Sequence, residues 1–141
     1  MPYQIDWKEN GGQVHYSGVL CNKDCIEANK EFTSGTRFSK INYIILNYNQ
    51  VDQFNIDSTL IQHLAHTDAN LYGKNPDLKL AFISTKKVVR GLVNMFQTHI
   101  DLSKTLGVWD MQLFETEKQA FDWVNNIKSY VARQESTSIM H

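Results

Sequence analysis

The chain has 141 residues, of which 42% are hydrophobic and 21% charged, and its net charge is -1. That length suits one domain with a single sizeable core, and the balanced charge lacks the basic excess of a nucleic-acid binder. The longest aliphatic run, Ile44-Ile45-Leu46, is far short of the ~20 apolar residues of a membrane span, and from the polar stretch MPYQIDWKEN no secretory signal is expected.

Residues 3–8 alternate, with Tyr3, Ile5 and Trp7 against Gln4, Asp6 and Lys8, which predicts a half-buried strand. Gly11-Gly12 reads as a turn, and residues 13–20 alternate again, so the pair predicts a hairpin. Asn22 is placed to cap a helix over 23–34, with Asp24 in its first turn favoured by the helix dipole. YIILNY, 43–48, is apolar on both faces, as a central strand should be. Asp57 caps a helix reaching about Tyr72, which Gly73 and Pro76 stop. LKLAFIS, 78–84, is the next strand. A helix over 86–104, ended by Gly107, precedes a strand over 109–115. Thr116 and Gln119 form a capping box for a last helix near 117–132. The tail 133–141 has no pattern and is expected to be frayed, leaving 1–132 as the domain. The order β-β-α-β-α-β-α-β-α predicts a mixed, mostly parallel five-stranded sheet after an N-terminal hairpin. One-sided apolar patterning in the outer strands places the helices mainly on one face.

The segments Arg37-Phe38, Tyr43–Val51, Phe54-Asn55-Ile56-Asp57-Ser58, Leu64-Ala65 with Asp68, Asn75–Ala81, Phe114-Glu115-Thr116 and Ala120–Val124 stand in an order and spacing that resemble the STAS superfamily. The likeness is to its SpoIIAA-like branch of small bacterial proteins and covers about residues 3–127. It implies an α/β STAS fold and a non-enzymatic domain that works by binding protein partners or small, lipid-like ligands. It also implies a switch. Phosphorylatable STAS domains read Asp-Ser-Ser-Gly or Asp-Ser-Thr-Gly after the central strand, and the matching positions here are Asp57, Ser58 and Thr59, with Thr59 as the acceptor. The physics suits a phosphate, because a helix N-terminus offers free N–H groups and positive potential. Leu60 stands where that motif has glycine, and Asn47 where many relatives carry aspartate. Ser, Thr and Asp are also what any helix start prefers.

On the 57–72 helix, Leu60, Ile61, Leu64, Ala65, Leu71 and Tyr72 make an apolar face, and His63 and His66 fall opposite. Their i, i+3 spacing is not the zinc-protease pattern, so two solvated histidines are expected and no metal. Asp68, however, falls within the apolar face. On the first helix Asn29 falls likewise within the stripe of Cys25, Ile26, Ala28 and Phe32. A carboxylate aimed at a core must be hydrogen-bonded, paired or protonated. Asn29 and Asp68 are therefore either a structural polar contact or the polar lining of a cavity between helices and sheet.

Cys21 and Cys25 are too few for a disulfide scaffold, and their spacing is not C-x-x-C. A reducing, cytoplasmic setting is expected. In KKVVRGLVNMFQTHIDLSK, Val88, Val89, Leu92, Val93, Phe96 and Ile100 form an apolar stripe, opposite Lys86, Lys87, Arg90, Asn94 and Asp101. The stripe should pack on the sheet with the cations in solvent; swung outward, it would suit a peripheral membrane contact. No paired carboxylates, nucleophile set or phosphate loop is visible. The sequence thus points to a non-enzymatic module without a cofactor, holding an apolar, amphipathic or lipid-like ligand through Asn29, Asp68, Tyr72, Met95 and Phe96. The alternative is a protein-interaction switch at Asp57, Ser58 and Thr59. A homodimer through an uncovered sheet face is a further expectation.

Overall fold

The computed structural model describes residues 2–103 and 109–125. The expected helix stop at Gly107, the last helix beyond 125 and the 133–141 tail lie outside those residues, as do the side chains of Ile100 and Asp101.

The elements are β1 (Tyr3–Trp7), β2 (Gly11–Cys21), α1 (Asn22–Thr33), β3 (Tyr43–Asn55), α2 (Ser58–Leu71), β4 (Lys79–Ile83), α3 (Lys87–Ser103), β5 (Asp110–Phe114) and α4 (Glu117–Asn125). Short 3-10 turns at Arg37–Lys40 and Tyr72–Lys74 complete the path. The sheet order is β1-β2-β3-β4-β5; β1 and β2 pair antiparallel and every later pair is parallel. Each parallel step moves one strand in the same direction, so right-handed crossovers put α1, α2 and α3 on one face. After the last strand no further step constrains α4, and it packs on the other face.

Two apolar layers result. Val14, Tyr16, Ile44, Leu80 and Phe82 meet the buried faces of α1, α2 and α3. On the reverse, Tyr43, Ile45, Ala81 and Ile83 meet Ala120, Trp123 and Val124 of α4. Successive residues of β3 thus serve opposite layers, which explains why 43–48 is apolar throughout.

Several local expectations change. Gly11 and Gly12 lie inside β2, and the chain reverses over the residues before them, with Lys8 N donating to Gly11 O at 2.8 Å. Their glycine identity answers crowding: a Cβ on Gly11 would sit 2.6 Å from the Tyr43 carbonyl oxygen, and one on Gly12 2.7 Å from the Phe32 ring. The α1 cap residue is Cys21, one residue before Asn22; Cys21 N and Sγ both donate to Asp24 Oδ2, at 3.2 and 3.0 Å. β3 continues to Asn55 because β2 is itself a long strand and pairs with it as far as Cys21↔Asn55. Trp109 precedes β5 and is buried, its Nε1–H donating to Asn75 O at 2.8 Å. The capping box at α4 is formed as expected, with Gln119 N donating to Thr116 Oγ1 and Thr116 N to Gln119 Oε1, each at 3.2 Å.

Candidate functional site

The helices on the crowded face do not fill the space above the sheet. A cavity of about 90 Å³ remains under α1, α2 and α3. Its floor includes Val14 and Tyr16 of β2, Ile44, Leu46 and Tyr48 of β3, and Leu80 and Phe82 of β4. Ala28 and Phe32 from α1, Leu60 and Leu64 from α2, and Val93 and Phe96 from α3 close it. Tyr16 and Tyr48 stack on the floor, with ring centroids 5.0 Å apart and planes 9° apart.

The two polar residues that fall within apolar stripes meet in this lining. Asn29 Nδ2 donates to Asp68 Oδ1 at 3.4 Å. Asp68 is only 6% exposed. Burial pushes its carboxyl up from 3.8 to about 7, and the Asn29 hydrogen bond offsets part of that rise. Phe96 also lines the cavity, as the sequence suggested. Tyr72 does not; its ring packs against Trp109 at 6.4 Å, behind the lining. Met95 is 38% exposed and belongs to the outer face of α3, because it follows Asn94 on the solvent side of the helical turn. Tyr16, Tyr48, Phe54 and Trp109 were not legible as site residues. The alternation of β2 marks Tyr16 as inward-facing, but only strand pairing brings it beside Tyr48.

Cys25 also lines the cavity, and burial pushes its thiol up to about 12, so it is not poised as a nucleophile. Burial likewise raises the phenols of Tyr16 and Tyr48 well above the ordinary tyrosine range.

At the start of α2, Asp57 accepts from Leu60 N at 3.2 Å. The Asn22 side chain joins this cap: its Nδ2 donates to Asp57 Oδ1 at 3.2 Å, and its Oδ1 accepts from Asp57 N at 3.4 Å. Asn22 thus braces the second helix start instead of capping its own. Ser58 and Thr59 are exposed in the first turn, whereas Leu60 is buried at 2% exposure and anchors the helix in the core. His63 and His66 lie on the exposed face, with His66 Nε2 3.4 Å from Asn70 Nδ2. Among the described residues, no group of three His, Cys, Asp or Glu side chains is placed to hold a metal. Asn47 is buried and donates to Gln13 Oε1 at 3.1 Å, a neutral pair on the α4 side of the sheet.

Two residues near the α3 start depart from the expected pattern. Val88 is 49% exposed and does not pack on the sheet. Lys86 precedes the helix and turns back to β3, where its ammonium donates to the Val51 carbonyl and lies 5.5 Å from the Phe54 ring centroid. No described helix is long and apolar enough to cross a membrane.

By sequence, no family model and no curated protein gives a significant match. By structure, the chain is similar to the anti-sigma factor antagonist SpoIIAA in its unphosphorylated form, with TM-score 0.58, 15% identity, and coverage of 87% of this chain and 97% of that one. The Bacillus cell fate determinant SpoIIAA in its phosphorylated form matches with TM-score 0.55 and 13% identity, over 86% of this chain and 98% of that one. The fold is SpoIIAA-like. An uncharacterized DUF3478-family protein from Shewanella loihica, described as having a SpoIIAA-like fold, aligns with TM-score 0.47 and 16% identity, over 86% of this chain and 91% of that one. At these identities the likeness is one of architecture. Within the SpoIIAA-like fold, Asp57 caps α2 directly after the long central strand, Ser58 and Thr59 lie in the first turn of that helix, and the cavity lies beneath it.

Proposed function

We propose that the protein is a non-enzymatic binding module whose cavity takes a small, mainly apolar molecule with one polar end. The observation that carries this reading is the meeting of Asn29 and Asp68 in an otherwise apolar, aromatic lining. A carboxyl group brought into such a site is costly for the empty protein, and a bound polar group offsets that cost. The size favours a short chain or small ring. A lipid tail would need α2 and α3 to part. Native mass spectrometry of the purified protein should show an added mass that denaturation releases. Ala28→Leu, which places extra methylenes in the lining, should abolish it. An unadorned mass, together with no shift in unfolding temperature across a panel of short-chain apolar compounds, would rule the reading out.

A second reading is favoured by a separate observation. Ser58 and Thr59 are exposed at a helix N-terminus in a fold shared with a protein known in phosphorylated and unphosphorylated forms. In this reading Thr59 accepts phosphate and the start of α2 is the surface a regulatory protein partner reads. Thr59→Glu should change stability by no more than about 0.5 kcal/mol, as expected of an exposed position, while altering which partners cross-link to the α2 surface. An unchanged partner set would count against the switch.

A further inference from the structure

The lining also restricts the charge of what it can hold. Among the described residues, no Lys, Arg or His lines the cavity, and Asp68 is its one acid. An anionic head group would face that carboxylate with no cation to balance it. Asn29 engages only Oδ1, and from 3.4 Å, so Oδ2 has no protein donor among the described residues. The remaining polar groups are neutral near physiological pH: the Cys25 thiol and the Tyr16 and Tyr48 phenols are all raised by burial. Aromatic side chains line the space, among them Tyr16, Phe32, Tyr48, Phe54, Phe96 and Trp109, and aromatic rings attract cations. An acceptor without a proton donor, set among aromatic side chains, complements an ammonium group.

We propose that the cavity binds a small primary amine, its ammonium on Asp68 and its carbon chain among the aromatic side chains, an inference that rests on the cavity being a ligand site. The volume sets the size. At about 90 Å³ it is smaller than the ~150 Å³ apolar cavity that admits benzene, so about four or five non-hydrogen atoms fit. The ammonium donates to Asp68 Oδ2 while Asn29 holds Oδ1, so the carboxylate is satisfied on both oxygens. A charge-assisted pair of this kind is stronger than the bond a neutral hydroxyl would make.

The test compares n-butylamine, butan-1-ol and propionate, which have the same number of non-hydrogen atoms, by titration calorimetry with the full chain. Near pH 8 butylamine should bind at least about tenfold more tightly than butanol, and propionate should not bind. Butylamine affinity should fall about tenfold per unit as pH drops below 7, where Asp68 holds its proton. Butanol affinity should not fall over that range. Asp68→Asn, a near-isosteric change, should erase the preference for amine while keeping butanol binding, which reports an intact cavity. Butanol binding as tightly as butylamine, or a preference that survives Asp68→Asn or acid, overturns the amine assignment and leaves the cavity reading standing. Binding of none of the three overturns both.

Discussion

Asp68→Asn should make the protein more stable near pH 8, by up to about 4 kcal/mol, and should leave it unchanged near pH 4. The sign follows from the proton count. In the unfolded chain the carboxyl titrates at its ordinary 3.8, and in the folded protein burial raises it to about 7. Between those values the folded state keeps a proton that the unfolded state has released. Stability is therefore full below about pH 4 and is lost as pH rises through 7, at about 1.4 kcal/mol per unit over roughly three units. The substituted amide has the same shape, retains an oxygen for Asn29 Nδ2, and never ionises. Urea midpoints at the two pH values, compared between the two proteins, isolate this residue from every other carboxylate. Equal midpoints at both would show that Asp68 is solvated when folded. The same logic ties stability to binding, because a cationic ligand would stabilise the ionised form and flatten the pH dependence of the wild-type protein.

Asn75→Ala should cost about 3–4 kcal/mol. The Asn75 side chain is buried and donates two short hydrogen bonds, to Phe38 O at 2.8 Å and Ile41 O at 2.7 Å. The backbone carbonyl of Asn75 accepts from Trp109 Nε1. One residue thus joins the 3-10 turn before β3, the exit from α2 and the entry to β5. Removing the amide leaves two buried carbonyls without a donor, each at about 1–3 kcal/mol. Asn75→Asp should be worse, because a carboxylate would face the two carbonyl oxygens. Urea unfolding followed by tryptophan fluorescence reads the loss. A change below about 1 kcal/mol would mean that water takes over both bonds.

Much of the architecture was legible from local pattern. The two periodicities, turn residues and caps marked nine strands and helices in the right order, because alternation and the 3.6-residue repeat are properties of a segment and its solvent boundary. Asp57 and the Thr116–Gln119 pair cap their helices as read, since a cap is a contact between residues three apart. Failures came where a neighbour distant in sequence decides. Gly11 and Gly12 looked like a turn, but Tyr43 and Phe32 crowd them inside a strand. Val88 carries the apolar stripe past the edge of the contact, and Lys86 turns from solvent to the end of β3.

The candidate site divides in the same way. Helical spacing by itself determined that Asn29 and Asp68 point inward, each from its own helix, and that Thr59 lies in the first turn of α2. It could not bring the first two together, because the distance between α1 and α2 depends on two crossovers over a shared sheet. Nor could it place Tyr16 beside Tyr48, which requires the pairing of β2 with β3. Only the tertiary structure decided that the space between them stays open. A cavity is what packing leaves unfilled, and that is a property of all the enclosing side chains at once.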